Sequence, residues 1–251
     1  MLRFFRQFRQ RLLTQNKFSK YLLYAVGEIL LVVIGILIAL QIDNWNDWRK
    51  DRQQSLIYLA NLKQDFENHI EVINATIEEL ETTKKSAKFI DDFISGKLVA
   101  LDTFELISSL NRAAFIINLK LQNSTWDEII STGDLNLISN RLLKSRVAHF
   151  LNDYQIMVDL DERKYNPVSL EYLKYSSKFF DVSNGFTSTS VISNFSEKGI
   201  WVDLNGLRKS AEMSSLLRRV YRSADEQQDF ITTLMKVRCQ DIIEMISAEI
   251  D

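Results

Sequence analysis

Cysteine and histidine are scarce in this chain. The 251 residues include one cysteine, Cys239, and two histidines, His69 and His149. A single cysteine excludes an intrachain disulfide, and a structural zinc site needs about four Cys or His ligands. The sequence also lacks the glycine-rich phosphate loop, the dinucleotide fingerprint and the G-x-S-x-G motif. We therefore predict no metal, no cofactor and no enzymatic activity.

The remaining candidates for chemistry have structural interpretations. Cys239 follows an apolar spacing, which predicts a small buried side chain. His69 lies between Phe66 and Ile73 on an apolar stripe, which predicts a hydrogen-bonded and partly buried imidazole. Three acid pairs, Glu78-Glu79, Asp91-Asp92 and Asp161-Glu162, fall in predicted helices. Adjacent positions on a helix do not converge on one substrate, so we interpret these pairs as solvated faces.

Helix-breaking residues are also scarce, with one proline and seven glycines. Between Gly35 and Gly96 there is neither, and apolar residues recur every three or four positions from Leu56 onward. This pattern is typical of a helix with one apolar face. We predict one nearly continuous helix over Tyr21–Ser95, with Ser95-Gly96 as its end.

The sequence is rich in one long apolar run, Tyr21–Ile42. As a helix it would reach about 33 Å, against about 30 Å of bilayer hydrocarbon. We predict a basic segment at 1–20, a transmembrane helix at 21–42 and a helical domain at 43–251. A cleaved signal peptide is the alternative, but its apolar core is shorter and ends in a small-x-small site, which IALQIDNW does not contain.

Charges on the two sides of the run predict its orientation. The preceding twenty residues contain no acid and six basic residues, whereas Asp43–Arg52 contains three of each sign. Positive residues stay on the cytoplasmic side, so the N-terminus should be inside and residues 43–251 outside. Aromatic side chains at both ends are expected to anchor in the headgroups. The basic residues are Arg3, Arg6, Arg9, Arg11, Lys17 and Lys20, and the aromatic anchors are Tyr21, Tyr24, Trp45 and Trp48.

Two features inside the run are candidates for function. Glu28 is an ionisable residue within a span, which is by default a functional candidate, although near the cytoplasmic flank it could also reach the headgroups. Gly35 and Ala39 form a small-xxx-small pair that would let a second helix approach closely. The basic first twenty residues place three apolar side chains on one face, which is also compatible with a helix lying in the interface.

Beyond the long helix the pattern predicts an all-α bundle. Short helices are expected at Thr103–Arg112, capped by Asp102, and from Ser124 or Thr125 to a stop at Gly133, with a strand or loop at Ile116–Gln122. A longer helix should run from Ser139 to about Tyr165, and Asn166-Pro167 should begin another to about Phe180. Short strands are expected within 191–193 and 200–204, followed by one helix from about Leu207 to the end. That last helix should pack antiparallel on the helix at 56–94.

The net charge of the chain indicates which classes of partner it can bind. Without the six N-terminal basic residues the chain carries a formal charge of −8. An acidic surface argues against a nucleic-acid partner, since phosphate binding needs positive charge.

Residues 16–48, NKFSKYLLYAVGEILLVVIGILIALQIDNWNDW, closely resemble the N-terminal signature of a bacterial family of single-span membrane proteins of unknown function. Thr125–Tyr154 is similar to that family's central stretch. The resemblance implies a bacterial cytoplasmic membrane location with the helical domain outside. It implies no activity and no site residues.

Three functions remain open from the sequence. The first is a tethered module that binds or scaffolds an unidentified membrane or periplasmic protein, or a second copy of the chain, with the lipid bilayer as its other partner. The second is a sensory domain that relays a signal through a partner. The third is an enzyme with an unfamiliar site.

Overall fold

The computed structural model describes residues 18–98, 102–181 and 201–250. The chain divides into two compact units, Met1–Ile57 and Tyr58–Asp251. The described residues are helical apart from loops and one pair of two-residue strands, so the all-α prediction is confirmed. The predicted domain boundaries at 20 and 42 stay predictions.

Helix α1 spans Phe18–Ile94, which confirms the prediction of one continuous helix. The chain leaves the helix at Gly96, two residues after Ile94, where φ is +74°, a value that glycine adopts readily. The N–H groups of Gly96 and Lys97 donate to the carbonyls of Phe93 and Asp92 at 3.2 and 3.0 Å. This pair of bonds satisfies the last carbonyls of the helix and turns the chain away.

Local signals also place the next elements. Helix α2 spans Thr103–Arg112, and the Phe104 N–H donates to the Asp102 carboxylate at 2.8 Å. Helix α3 spans Ser124–Thr132 and stops at Gly133, where φ is +80°. A 3₁₀ turn follows at Asp134–Leu137. The segment 115–123 between α2 and α3 has no regular structure, so of the two alternatives there the loop is correct.

The long helix in the middle of the chain begins later than predicted. Helix α4 spans Arg141–Leu160 and begins two residues later than predicted, because Asn140 rather than Ser139 caps it. The Asn140 side chain accepts the N–H of Leu143 at 3.0 Å.

Helix α5, Asn166–Ser176, begins at Asn166-Pro167 as predicted, and a π segment, Asp161–Tyr165, joins it to α4 without a break in the helical backbone. The Asn166 N–H donates to the Asp161 carbonyl, five residues back. Proline lacks an N–H and crowds the carbonyl four residues earlier. The wider π turn directly before it relieves that conflict. Helix α5 ends four residues before the predicted Phe180.

Two short strands follow. Strand β1, Phe180–Asp181, pairs antiparallel with β2, Trp201–Val202, with Phe180 opposite Val202. Strand β2 lies within the predicted 200–204. The strand predicted within 191–193 lies outside the described residues.

The C-terminal region is not one helix. It comprises α6, Leu204–Lys209, then α7, Ala211–Phe230, a second π segment, Ile231–Lys236, and α8, Val237–Ile250. Ser210 has extended backbone between α6 and α7, and its hydroxyl accepts the Met213 N–H at 3.1 Å. A serine in this position caps a new helix, so the predicted continuity from Leu207 is wrong.

The apolar spacing of the C-terminal region predicts a buried stripe that includes Ile231, Leu234 and Val237, but the buried face of the second π segment differs from it. Leu234 is only half-buried and Val237 is 56% exposed, whereas Ile231, Met235 and Cys239 are fully buried. In a π turn each N–H bonds five residues back. Side chains four positions apart therefore stay on one face of the π segment. As a result Met235, four residues after the buried Ile231, points into the core, whereas Leu234 does not.

Contacts along α1 confirm that the C-terminal helices run antiparallel to it. Asp91 accepts a hydrogen bond from the Ser214 hydroxyl, and Lys84 pairs with Asp225 at 2.7 Å. Further back on α1, the Phe66 carbonyl lies 3.2 Å from the Cys239 thiol. The residue numbers of the contacts on α1 decrease as those on the C-terminal helices increase, so the two run in opposite directions.

The buried core of the second unit, Tyr58–Asp251, has two parts. One part centres on Tyr58, Leu59, Leu62, Phe66, Phe150 and Ile242. The other centres on Ile90, Phe93, Leu110 and Tyr172.

Candidate functional site

The apolar run in α1 is the most distinctive surface of the first unit. Its consecutive large apolar side chains are all exposed, with Leu23 at 79% and Leu31 at 73%. Consecutive residues cover every face of a helix, so this segment is apolar all round, as helices in an apolar environment are. By length and composition α1 could cross a membrane. The exposed side chains include Leu22, Leu23, Val26, Ile29, Leu30, Leu31, Val32, Val33, Ile34, Ile36, Leu37, Ile38, Leu40 and Ile42.

The candidate residues within the run are also exposed. Glu28 lies on the surface of α1, as do Gly35 and Ala39 one turn apart. A Cβ placed on Gly35 would meet no atom within 4 Å. The helix surface at this pair is therefore open, and its packing role stays a prediction.

The proposed anchors and charges lie partly outside the described residues. Trp45 and Trp48 are 60% and 63% exposed on α1, and Tyr24 is partly buried. The backbone of Lys20 and Tyr21 belongs to α1, but their side chains lie outside the described part. Arg3, Arg6, Arg9, Arg11 and Lys17 precede it.

A buried polar cluster in the second unit was not found from the sequence. Asp161 is 3% exposed, so interpreting it as part of a solvated face is wrong. The Gln227 amide donates to Asp161 Oδ1 and to the Ile117 carbonyl, both at 2.8 Å, and the Leu119 N–H donates to Asp161 as well. These bonds tie the irregular segment 115–123 to the π segment and to α7. The sequence contained a signal for this burial. Asp161 lies four residues after the buried Met157, so the two side chains share one face of the helix.

Burial raises the pKa of the Asp161 carboxyl to about 7, although the hydrogen bonds from Gln227 and Leu119 act in the opposite direction. Removing a carboxylate from water disfavours its charged form. The neighbouring cavity, which Gln227 and Tyr165 help to line, has a volume of about 20 Å³. That is room for about one water molecule and too little for a substrate. The cluster can hold a proton, and its direct role is to fix three segments together.

We expect Asp161→Asn to change how the stability of the chain depends on pH. In the unfolded chain the carboxyl ionises near pH 4, but in the folded chain only near 7. Between these values the folded state binds more protons, so the stability due to Asp161 falls as pH rises, by up to about 4 kcal/mol. The amide of the variant does not ionise, so its stability should not fall in this way as pH rises. Chemical unfolding of both proteins from pH 4 to 8 measures it, and parallel stability curves would contradict it.

The predictions for His69 and Cys239 are confirmed. The His69 imidazole is 3% exposed, its Nε2 lies 2.8 Å from the Gln122 carbonyl, and its ring stacks on Phe150. Burial lowers its pKa, which favours the neutral ring. Cys239 is fully buried, and burial raises the pKa of its thiol to about 12, so it is not a thiolate at neutral pH. In the described part of the chain, no group of three His, Cys, Asp or Glu side chains could hold a metal ion.

Comparison with known proteins identifies a family without a known activity. No curated protein and no solved structure matches the chain. One family model matches residues 28–194, more than half of the chain, including most of the apolar run, the buried Asp161 and both histidines. The chain belongs to this family, a family of unknown function designated DUF6090.

Proposed function

We propose that the chain is a single-pass protein of a bacterial cytoplasmic membrane whose outer helical domain binds a protein partner. The exposed apolar run of α1 supports the anchor. The six basic residues before it and the balanced charge after it support an inside N-terminus. On this topology residues 43–251 lie outside, where the domain acts by contact rather than by turnover.

A specific surface of the second unit supports binding. Leu170 and Leu173, one turn apart on α5, are 52% and 47% exposed. Phe115 and Ile116, on the irregular segment before α3, are 44% and 43% exposed, and Phe115 lines a small cavity together with Ser169 of α5. We name Leu170 and Leu173 the α5 face. Exposed apolar side chains grouped in this way are typical of interaction surfaces.

We expect the double substitution Leu170→Glu and Leu173→Glu to abolish partner capture while leaving the fold intact. Two carboxylates on the α5 face would have to be desolvated in any apolar interface, which is strongly unfavourable. The measurement is covalent crosslinking in native membranes, followed by purification of the full chain and mass spectrometry. Leu142→Glu, at a 58% exposed site on α4, is the matched control.

Two outcomes would contradict the proposed function. The first is a set of crosslinked proteins that is the same for wild type, the double variant and the control. The second is reproducible turnover of a general hydrolase substrate by the purified chain that one side-chain substitution abolishes. Loss of one partner in the double variant alone would support binding through the α5 face.

A further inference from the structure

We propose that a cavity between α4 and the beginning of α8 binds a small oxyanion, such as a phosphate or carboxylate group. The cavity has a volume of about 270 Å³ and is lined by Arg146, His149, Arg238 and Ile242. Three of these four side chains carry N–H donors. None of the four was singled out as a site residue from the sequence.

The fold brings these side chains together from distant segments. Arg146 and His149 are three residues apart on α4, so they share one face of that helix. Arg238 and Ile242 are four residues apart on α8 and lie across the cavity from them. Ile242 is fully buried and forms an apolar wall, whereas both arginines are partly exposed and reachable by a ligand.

A neighbouring carboxylate forms an ion pair with each guanidinium group. Arg238 donates through Nη1 to Asp153, which is 8% exposed, and Arg146 Nε lies 3.5 Å from Asp241. Each contact uses one of the three nitrogens of a guanidinium, which has five N–H groups. Each guanidinium therefore has further N–H groups that these two contacts do not use.

The chemistry of the lining indicates the ligand class. Guanidinium groups bind carboxylates and phosphates through paired N–H···O bonds, and a histidine adds a further donor. The two aspartates balance the charge of the two arginines, so the cavity attracts an anion by directed hydrogen bonds rather than by excess positive charge. This favours a compact oxyanion with several acceptor oxygens over a hydrophobic ligand.

The test titrates inorganic phosphate into the full chain in nanodiscs of zwitterionic lipid and follows the imidazole NMR signals. His149 should shift with saturation, and the buried His69 serves as the internal reference. Arg146→Gln and, separately, Arg238→Lys should each weaken binding by about tenfold or more. Arg238→Lys retains the charge beside Asp153, so it should remain folded. Arg141→Gln, an exposed position on the same helix, is the matched control.

A second arm repeats the experiment without phosphate in nanodiscs that contain phosphatidylglycerol. A saturable shift with free phosphate supports a soluble ligand, whereas a shift with the anionic lipid alone supports a headgroup. In both cases the shift must be lost in Arg146→Gln. Absence of a saturable shift in both arms, or an unchanged affinity in both site variants, would overturn the proposal.

Discussion

We expect Phe66→Ala to lower the free energy of unfolding of the helical bundle by about 3–5 kcal/mol. The Phe66 ring is 2% exposed, and its centroid lies 5.0 Å from that of Phe150 and 5.1 Å from that of His69. Truncation would remove this apolar area and leave a cavity that α1, α4 and α8 enclose together. Chemical denaturation of the full chain in detergent, followed by near-ultraviolet circular dichroism, measures the loss.

Three further substitutions make this test specific to the observed packing. Met235→Ala should cost about 2–5 kcal/mol because its side chain is fully buried. Leu234→Ala should cost clearly less, and Val237→Ala less than about 0.5 kcal/mol, since that side chain is 56% exposed. A loss below about 0.5 kcal/mol at Phe66 would contradict its burial between α1 and α4, and a larger loss at Leu234 than at Met235 would contradict the packing of the second π segment.

Two arginines in the apolar run should release the chain from the membrane. A charged residue near the middle of a span costs about 2.5–3.5 kcal/mol, so Ile34→Arg with Ile38→Arg should oppose insertion by about 5–7 kcal/mol. Both side chains are about half exposed on α1, so the substitutions disturb no buried packing in the described part of the chain. The measurement is the fraction of protein that stays with membranes after an alkaline carbonate wash.

The matched control is Ile57→Arg, which adds a charge to α1 at a 47% exposed position beyond the apolar run. It should stay in the membrane fraction like the wild type. Equal retention of the double variant and the wild type would show that the apolar run does not hold the chain in the membrane.

Features governed by local chemistry could be predicted from the sequence. Helix α1 follows from the absence of breakers between Gly35 and Gly96. Asp102 and Gly133 mark the beginning of α2 and the end of α3, because a side-chain cap and a left-handed residue act within one turn. The antiparallel packing of the C-terminal helices on α1 could also be predicted, because two long apolar stripes must cover each other.

Features that depend on the π segments could not be predicted, because the pattern was interpreted with an α-helical period. That period placed Leu234 in the core instead of Met235 and gave no sign of the π segment before Asn166. Burial of Asp161 depends on Gln227, which is 66 residues away in the sequence. The side chains of the α4–α8 cavity are similarly distant, so only the tertiary structure brings them together.

The most direct test of the proposed topology is a pair of C-terminal fusions expressed in a bacterial host. Alkaline phosphatase is active only outside the cytoplasm, whereas a cytoplasmic fluorescent reporter is active only inside. With an inside N-terminus and a retained anchor, the phosphatase fusion should be active, the fluorescent fusion dark, and the mature N-terminus should precede Tyr21. An inactive phosphatase with a bright reporter would contradict the orientation, and a mature protein that begins near Gln41 would contradict the anchor.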